Sequence, residues 1–428
     1  MGTDKTNAPR KRGRLWFVSE LYYPEDTSTG YYVTGIAEGL AADEAVAVLC
    51  SQPTYAARGT RAPSHERRKG VEIWRCAGTT LDKDRLLSRC VNLTTISLSI
   101  FGNALRRFRQ GDVVVVTTNP PTLPFVAVIS ARLRGTRCVL LVHDVYPEVL
   151  VASGLFSERS TAVRLLAALQ RVLYHWMDKI VVIGRDMELL VARRAAVADS
   201  KTARIPNWAD LDDVRPTARD ANPLIAQLGL AEKFIVQYSG NMGRTHGLES
   251  VIAAAERLRG NGEIHLLLIG GGAKKSWLEH AVVDRRLTNV TILPYQPRSA
   301  IGVSLNACDI ALISFAPGMA GVSVPSRMYN VMAAGKPIVA VADPQSELAQ
   351  LVREERIGWV TPPGDAERIA STIAEASSDR AALAEMGTRA RAAAERKYSY
   401  NRVISAYRSV VSELLAPDPQ RPHSRERV

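Results

Sequence analysis

The sequence has 428 residues, of which 46% are apolar and 23% are charged, a composition typical of a soluble globular protein with room for two or more domains. The longest uncharged apolar stretch, residues 90–105, includes Asn, Thr and Ser and is shorter than the roughly 20 residues that a membrane span requires. This excludes a transmembrane helix in the stretch, which is predicted to be a buried helix or, alternatively, a helix lying against a lipid surface.

The five cysteines indicate a reducing compartment. They show neither CxxC spacing nor a histidine partner at the spacing of a metal site, and four of them fall in apolar or helical runs. The N-terminal segment is polar and basic, without the apolar core of a signal peptide. We therefore expect free thiols and a cytoplasmic protein, with the inner face of the cytoplasmic membrane as a second location.

The net charge of +12 is concentrated in the first half of the chain. Residues 1–210 hold 29 Lys and Arg against 20 Asp and Glu, whereas residues 211–428 hold 26 against 23. This favours an anionic partner, which could be a phosphorylated substrate, an acidic membrane surface or nucleic acid. No zinc finger or RNP-like aromatic motif is found, so nothing beyond the charge supports nucleic acid.

Apolar runs without polar alternation recur along the first half, as is typical of parallel strands buried on both faces. The predicted strands are residues 15–19, 46–50, 71–75, 112–118, 137–144 and 178–184. After the first strand, a polar loop leads through Thr29 and Gly30 into a helix, where backbone N–H groups can approach an anion. An ordinary strand–helix loop is the alternative. His143, at the end of another strand, is either a cleft residue or a structural one.

A polar linker over residues 207–229 separates this half from a second set of strands: 234–240, 263–270, 289–293, 309–314, 337–342 and 358–362. The pattern predicts an α/β protein of two Rossmann-like domains, residues 1–210 and 213–395, facing each other across an interdomain cleft. We expect residues 399–415 to cross back to the first domain and residues 416–428 to be disordered.

Two segments of the second domain carry polar clusters at predicted helix starts. Strand 234–240 ends at Gly240 and is followed by Asn241, Arg244 and His246, a pattern suited to a diphosphate or to a solvated loop. The second segment is a helix predicted to begin at Pro325 and extend to residue 334. In it, Ser326 and Arg327 would add donors for phosphate, and Asn330 could bind ribose hydroxyls on the same face.

The stretch "PSRMYNVMAAGKPIVA", with "DPQSELAQLV" and "IGWVTPPGD" after it, resembles the C-terminal domain of GT-B glycosyltransferases of family 4. The motifs "YYPEDTSTGYY", "NPPTLP", "HDVYPE", "IPNWAD" and "YSGNMGRTHGLE" occur in the order of that family. The resemblance is strongest to the branch that builds bacterial O-antigens, capsules and colanic-acid-like exopolysaccharides. It implies a GT-B fold and transfer from a nucleotide-diphosphate sugar, with UDP expected before GDP or dTDP.

The resemblance also implies site residues. Many members carry two glutamates that fall here on Val322 and Asn330, so Asn330 would bind ribose by neutral hydrogen bonds. Glu347 matches a position near the diphosphate-sugar region, and His143 matches a histidine near the donor sugar. Tyr295 is also predicted in the donor site.

The diphosphate loop departs from the pattern of the family. Many members place Arg and Lys in this loop, at positions that fall here on Asn241 and His246. Either Arg244 or Arg327 would then supply the missing positive charge. Which of the two does so is left open by the sequence.

The family mechanism implies retention of the anomeric configuration, with neither a metal nor a protein nucleophile. The expected acceptor is a glycan or a polyprenyl-diphosphate-linked glycan, reached from the cytosol. Alternatives are a soluble small-molecule acceptor, a GT-B sugar-nucleotide epimerase and, remotely, a nucleic-acid-binding protein. A basic loop region would attract anionic lipid, or would be a solvated basic face: Arg58, Arg61, Arg67, Arg68 and Lys69.

Overall fold

The computed structural model describes residues 13–53, 61–79, 81, 86–195 and 199–416. Of the predicted features, Arg58 and the tail from residue 417 lie outside these residues. The described residues of the first half form eight strands: β1 (Leu15–Val18), β2 (Val46–Cys50), β3 (His65–Arg68), β4 (Val71–Arg75), β5 (Val113–Thr117), β6 (Arg137–Val142), β7 (Lys179–Val182) and β8 (Thr202–Arg204). Its helices are α1 (Ser28–Leu40), α2 (Leu86–Arg107), α3 (Leu123–Arg134), α4 (Glu148–Ala152), α5 (Thr161–Trp176) and α6 (Arg185–Ala195).

These strands form one sheet in the order β3-β4-β2-β1-β5-β6-β7-β8. The inner pairings of β1 with β2 and β5, of β2 with β4 and of β5 with β6 are parallel, and β3 joins the edge antiparallel to β4. Every residue of β1, β2 and β5 is buried. Burial on both faces explains why these strands are continuous apolar runs in the sequence.

The second half repeats this plan. Its strands are β9 (Phe234–Asn241), β10 (Ile264–Gly271), β11 (Val290–Leu293), β12 (Ile310–Ser314), β13 (Ile338–Val341) and β14 (Gly358–Thr361). Its helices are α7 (Pro223–Leu228), α8 (Leu248–Arg257), α9 (Lys275–Asp284), α10 (Ile301–Asn306), α11 (Arg327–Ala333), α12 (Glu347–Glu355), α13 (Ala366–Ser377), α14 (Arg380–Lys397) and α15 (Tyr400–Leu415).

The second sheet has the order β11-β10-β9-β12-β13-β14, and all its pairings are parallel. Side chains from β9, β10 and β12 pack with α8 and α13 into a core that includes Tyr238, Leu266, Leu312, Val251 and Ile369. A mostly parallel first sheet and a parallel second sheet, each with crossover helices, confirm the predicted α/β class and the two Rossmann-like domains.

Internal contacts divide the chain into two compact units. The first consists of the described residues within 1–142, 173–181 and 404–428, and the second of His143–Val172 and Val182–Val403. Within the first unit, Arg408 of α15 pairs with Asp43 at 2.6 Å. None of the helices in the described parts of the chain combines the length and the apolar character needed to cross a bilayer.

Candidate donor-binding site

The ends of β9 and β10 pair so closely that there is no room for a side chain between them. Gly240 pairs with Gly270 in the parallel register, and both have positive φ, 141° and 149°. A Cβ atom on Gly270 would lie 1.9 Å from the carbonyl oxygen of Gly240, so a side chain is excluded there. Ligands of parallel α/β sheets bind beyond the carboxyl ends of the strands. This edge is therefore a candidate ligand site.

Arg327 brings positive charge to this edge. Its Cζ atom would lie 2.9 Å from a Cβ atom on Gly240, and its guanidinium stands 4.7 Å from the ring centroid of Tyr238. The Nη1 atom of Arg327 is buried without a hydrogen-bond partner among the described residues. A buried donor with no acceptor costs about 1–3 kcal/mol, and more when it is charged. The arrangement is therefore suited to an anionic ligand that accepts a hydrogen bond from Nη1.

His246 adds no positive charge to the site. Burial, together with the nearby charge of Arg327, lowers the pKa of His246 to about 3, so its imidazole is neutral at pH 7. The ring centroid lies 5.8 Å from that of Phe315 and 6.4 Å from that of Tyr238. His246 can therefore contribute packing and neutral hydrogen bonds to a ligand, but not the charge of an ammonium or guanidinium group.

Two further cations stand in the loops beside this edge. Lys274, which was not predicted, pairs with Glu249 at Nζ–Oε distances of 2.5 and 2.7 Å. Arg244 opens a short 3-10 helix, Arg244–His246, and its side chain is exposed. Of the two predicted sources of the missing charge, only Arg327 has its guanidinium against the strand end at Gly240.

The predicted residues Asn241 and Tyr295 also adjoin the strand ends. Asn241 is the last residue of β9, and its carbonyl oxygen accepts a hydrogen bond from the hydroxyl of Tyr238. The hydroxyl of Tyr295 donates to the carbonyl oxygen of Gly271 at 3.1 Å. Tyr295 is largely exposed, so one face of its ring is open to a ligand.

The helix that carries Arg327 is shorter than predicted. It begins at Arg327 with Ser326 as its N-cap, rather than at Pro325. The backbone N–H of Met328 donates to the Pro325 carbonyl at 3.0 Å, and that of Tyr329 donates to the Ser326 carbonyl at 3.3 Å. Because these two N–H groups are used within the first turn, α11 offers an anion the guanidinium of Arg327 rather than the amides of Met328 and Tyr329.

Asn330 has a structural partner that the sequence did not indicate. Its side-chain oxygen accepts a hydrogen bond from the backbone N–H of Asp210 at 2.8 Å, and the side chain is buried. A ribose contact would therefore fall to the amide NH2 group of Asn330, since its oxygen is already engaged.

Glu347 is held by an arginine that sequence reasoning missed. Ser346 caps α12 by accepting from the N–H of Ala349 at 3.2 Å, which places Glu347 in the first turn. The Glu347 carboxylate accepts from the backbone N, Nε and Nη2 of Arg185 at 2.7, 3.0 and 3.1 Å. Glu347 is therefore a fixed, charge-paired carboxylate, with capacity on Oε1 for one more hydrogen bond.

Asp186 was also missed, and it fixes the loop that precedes α11. Its Oδ2 atom accepts from the backbone N–H groups of Gly321 at 2.7 Å and Glu347 at 2.9 Å, and its Oδ1 atom accepts from Met187 at 2.8 Å. Burial raises the pKa of the Asp186 carboxyl, an effect that these hydrogen bonds oppose. The only sequence signal for Asp186 is its position just after a strand end.

His143 follows β6 in a segment that pairs with the same loop. Asp144 forms a β-bridge with Ser323, and the N–H of Val145 donates to the carbonyl oxygen of Val322 at 2.9 Å. Burial lowers the pKa of His143 to about 4, so the side chain is neutral at pH 7. This anchors His143 near the loop that leads into α11.

Thr29 and Gly30, at the start of α1, belong to the first unit. The Oγ1 atom of Thr27 accepts from the N–H of Gly30 at 3.2 Å, so this N–H is already satisfied by the cap. A Cβ atom on Gly30 would lie 2.5 Å from the carbonyl oxygen of Glu25. Close packing accounts for the glycine, whereas Thr29 is half-buried.

Two Rossmann-like domains, with an anion-suited site at the carboxyl edge of the second sheet, define the GT-B class of glycosyltransferases. Comparison with known proteins agrees. Residues 28–208 match the family described as "Glycosyl transferase 4-like domain", and residues 221–393 match "Glycosyl transferases group 1".

Individual relatives support the same assignment. The probable glycosyltransferase WbjE of Pseudomonas aeruginosa is 32% identical over 404 residues, 94% of this chain and 98% of its own. The putative colanic acid biosynthesis glycosyl transferase WcaI of Escherichia coli K12 is 30% identical over 342 residues, 77% of this chain and 83% of its own. Anabaena HepE in complex with UDP-glucose matches the fold with a TM-score of 0.72 at 16% identity, covering 94% of this chain and 99% of its own. The chain therefore belongs to the group 1 glycosyltransferases, as the resemblance implied.

Proposed function

We propose that this glycosyltransferase moves a hexose from a UDP-sugar to a glycan or lipid-linked glycan during synthesis of a bacterial surface polysaccharide, with retention of the anomeric configuration. The guanidinium of Arg327 at Gly240 is the observation that carries the proposal, because it offers an unpaired donor where a diphosphate would bind. The name of WcaI, which refers to colanic acid biosynthesis, supports the polysaccharide, and HepE with UDP-glucose supports the nucleotide.

The departing nucleotide diphosphate would be stabilised electrostatically. Arg327 donates to its oxygens from one side, and Arg244, Ser326 and Asn241 complete the contacts. Asn330 donates to the ribose through its amide NH2 group, and Tyr295 lies beside the base. These contacts stabilise the transition state, because they lie where negative charge develops on the diphosphate as the glycosidic bond breaks.

The sugar would be positioned by neutral and fixed groups. His143, with its lowered pKa, acts as a neutral hydrogen-bonding partner for a sugar hydroxyl rather than as a cation. Glu347, fixed by Arg185, accepts from a second hydroxyl through Oε1. Retention then follows from attack of the acceptor on the face that the leaving diphosphate occupies, and no protein nucleophile is assigned.

The reaction would proceed without a metal, because the cation that neutralises the diphosphate is already supplied by Arg327. The epimerase alternative needs a pair of acid and base carboxylates in the site. The carboxylate on which it relied, Glu347, is charge-paired with Arg185, which leaves it poorly suited to accept and return a proton.

A panel of nucleotides tests the donor. UDP should raise the melting temperature of the protein more than GDP or dTDP at equal concentration, because ligand binding stabilises the folded state by mass action. Equal or absent shifts would reject the UDP-sugar assignment. Incubation with UDP-glucose, UDP-galactose or their N-acetylated forms should transfer label to a polyprenyl-diphosphate glycan but not to a free monosaccharide. Transfer only to the monosaccharide would favour the soluble acceptor.

A lipid-linked acceptor implies that the enzyme contacts an anionic membrane. The structure makes the basic loop region a weaker candidate for that contact. Arg68 and Lys69 both pair with Glu38, the latter at 3.3 Å, and Arg68 also stacks over the ring of Tyr23 at 3.9 Å. Arg67 keeps an exposed side chain. The Arg67/Arg68/Lys69→Ser variant should therefore lose less binding to anionic vesicles than its three charges suggest.

A further inference from the structure

A row of apolar side chains is exposed along α5. Leu165, Leu169, Val172 and Trp176 are between 39% and 63% exposed. Steps of four, three and four residues bring them onto one helix face, because an α-helix makes a turn about every 3.6 residues. We call this face the α5 stripe. Single exposed leucines are common, but a continuous row of four large apolar side chains indicates an interaction surface.

The α5 stripe is distinct from the face by which α5 packs into the protein. Val163, Leu173 and Tyr174 are buried, and Gln170 is buried among them. These positions lie on a different side of the helix from the stripe. The packing of α5 is thus complete without the stripe, whereas the outer face of an ordinary surface helix is polar.

Basic side chains border the α5 stripe. Arg164, Arg171 and His175 are exposed along one side of it, and α5 contains no Asp or Glu. At its C-terminal end, the guanidinium of Arg132 lies 5.2 Å from the ring centroid of Trp176. Apolar residues with a flanking basic border and a tryptophan are the features of helices that lie in the interface of an anionic bilayer.

We propose that the α5 stripe docks the enzyme on an anionic lipid bilayer. Leu165, Leu169 and Val172 enter the boundary between headgroups and acyl chains, and Arg164 and Arg171 contact lipid phosphates. The proposal deepens the proposed function, on which it rests for the lipid-linked acceptor. A second copy of the chain is a weaker occupant, because pairing two stripes would bring two basic borders of a +12 protein together.

Co-sedimentation with vesicles tests the α5 stripe. The full-length protein should bind vesicles of equal parts phosphatidylglycerol and phosphatidylcholine and should bind phosphatidylcholine alone weakly. The vesicle partition coefficient of the L165Q/L169Q variant should be at least about ten-fold lower than that of the wild type, because two leucine side chains no longer transfer into lipid. Glutamine preserves helix propensity, so the helix should persist. A circular dichroism spectrum and melting temperature equal to those of the wild type would verify this.

Two matched variants locate the effect. V283Q alters an apolar residue on α9 that is more exposed than either leucine and should leave vesicle binding unchanged. V91Q/L98Q alters exposed residues of α2, the other helix for which a lipid-facing role is predicted. Loss of binding with V91Q/L98Q but not with L165Q/L169Q would overturn the proposal, as would wild-type binding by L165Q/L169Q.

Two further measurements separate the proposal from its alternatives. Light scattering that finds a wild-type dimer and a monomeric L165Q/L169Q variant, without vesicle binding, would assign the stripe to self-association and overturn lipid docking. The rise in melting temperature with UDP should be the same in all variants, since the substituted side chains are exposed and none of them belongs to the donor-binding site. A protein that binds vesicles through the stripe but shows no UDP shift would keep this proposal and reject the proposed donor.

Discussion

Replacing Arg327 with methionine removes the guanidinium and keeps an unbranched apolar stem over the ring of Tyr238. In the free protein, the change eliminates a buried Nη1 donor that lacks a partner among the described residues. The melting temperature of the free R327M protein should therefore be unchanged or higher than that of the wild type. The cost should appear only when an anion binds.

The size of that cost follows from the contact that is lost. A hydrogen bond to a charged group contributes about 1.5–3 kcal/mol, so the dissociation constant for UDP should rise roughly 10- to 150-fold. R327K keeps the charge but loses the planar fork and should fall between wild type and R327M. From the sequence, Arg244→Ala is expected to cost about 1–3 kcal/mol. The exposed position of Arg244 lowers this expectation to about 1 kcal/mol or less.

Isothermal titration calorimetry with UDP measures all three variants. The reasoning about Arg327 would be refuted if R327M bound UDP within two-fold of the wild type. Normal binding by both R327M and the Arg244→Ala variant would remove the diphosphate from this strand edge altogether. A large drop in the melting temperature of free R327M would instead show that Arg327 serves the fold.

Three more outcomes are expected. His143 and His246 are buried and neutral with pKa values of about 4 and 3, below the ordinary 6.5, so the unfolded chain binds more protons. Urea unfolding should therefore show stability falling by up to about 1.4 kcal/mol per pH unit for each histidine from pH 6.5 down to 4, with a shallower slope in H246Q. Asn330→Ala should weaken UDP binding and should also cost about 1–3 kcal/mol of stability, because the backbone N–H of Asp210 loses its acceptor. Asn330→Glu keeps an acceptor and should be tolerated. Calorimetry with UDP and melting curves of both variants would show this. Transfer activity should survive EDTA, and a loss restored by added Mg²⁺ would contradict the assignment of charge neutralisation to Arg327.

The strands were predictable because parallel strands buried on both faces are continuous apolar runs in the sequence. All twelve apolar runs predicted as strands are strands, with ends shifted by no more than two residues. The two missed strands, β3 and β8, lie at the ends of the first sheet and have the sequences HERR and TAR. Edge strands need no apolar run, so neither leaves the pattern on which the prediction depended.

The site was predicted less completely, because pairing across the chain has no local pattern. Arg185 and Glu347 are 162 residues apart, and the sequence around either residue does not indicate that it pairs with the other. The same holds for Asn330 and the N–H of Asp210, which are 120 residues apart. Sequence position indicated that such polar residues stand at strand or helix ends, but which of them engage one another depends on how distant segments fold together.

The source of positive charge in the donor site is found by combining the family resemblance with the structure. The resemblance implies that the diphosphate loop lacks its usual cations at Asn241 and His246, and His246 is neutral in the structure. Arg327 reaches the same strand end from a different element, and its guanidinium occupies the space that a side chain on Gly240 would fill. Gly240 leaves room for this guanidinium, since a Cβ atom there would lie 2.9 Å from Cζ of Arg327, and its φ of 141° independently favours glycine. A charge lost from the loop can thus be supplied by a helix, provided that a glycine near the strand end leaves room for the guanidinium.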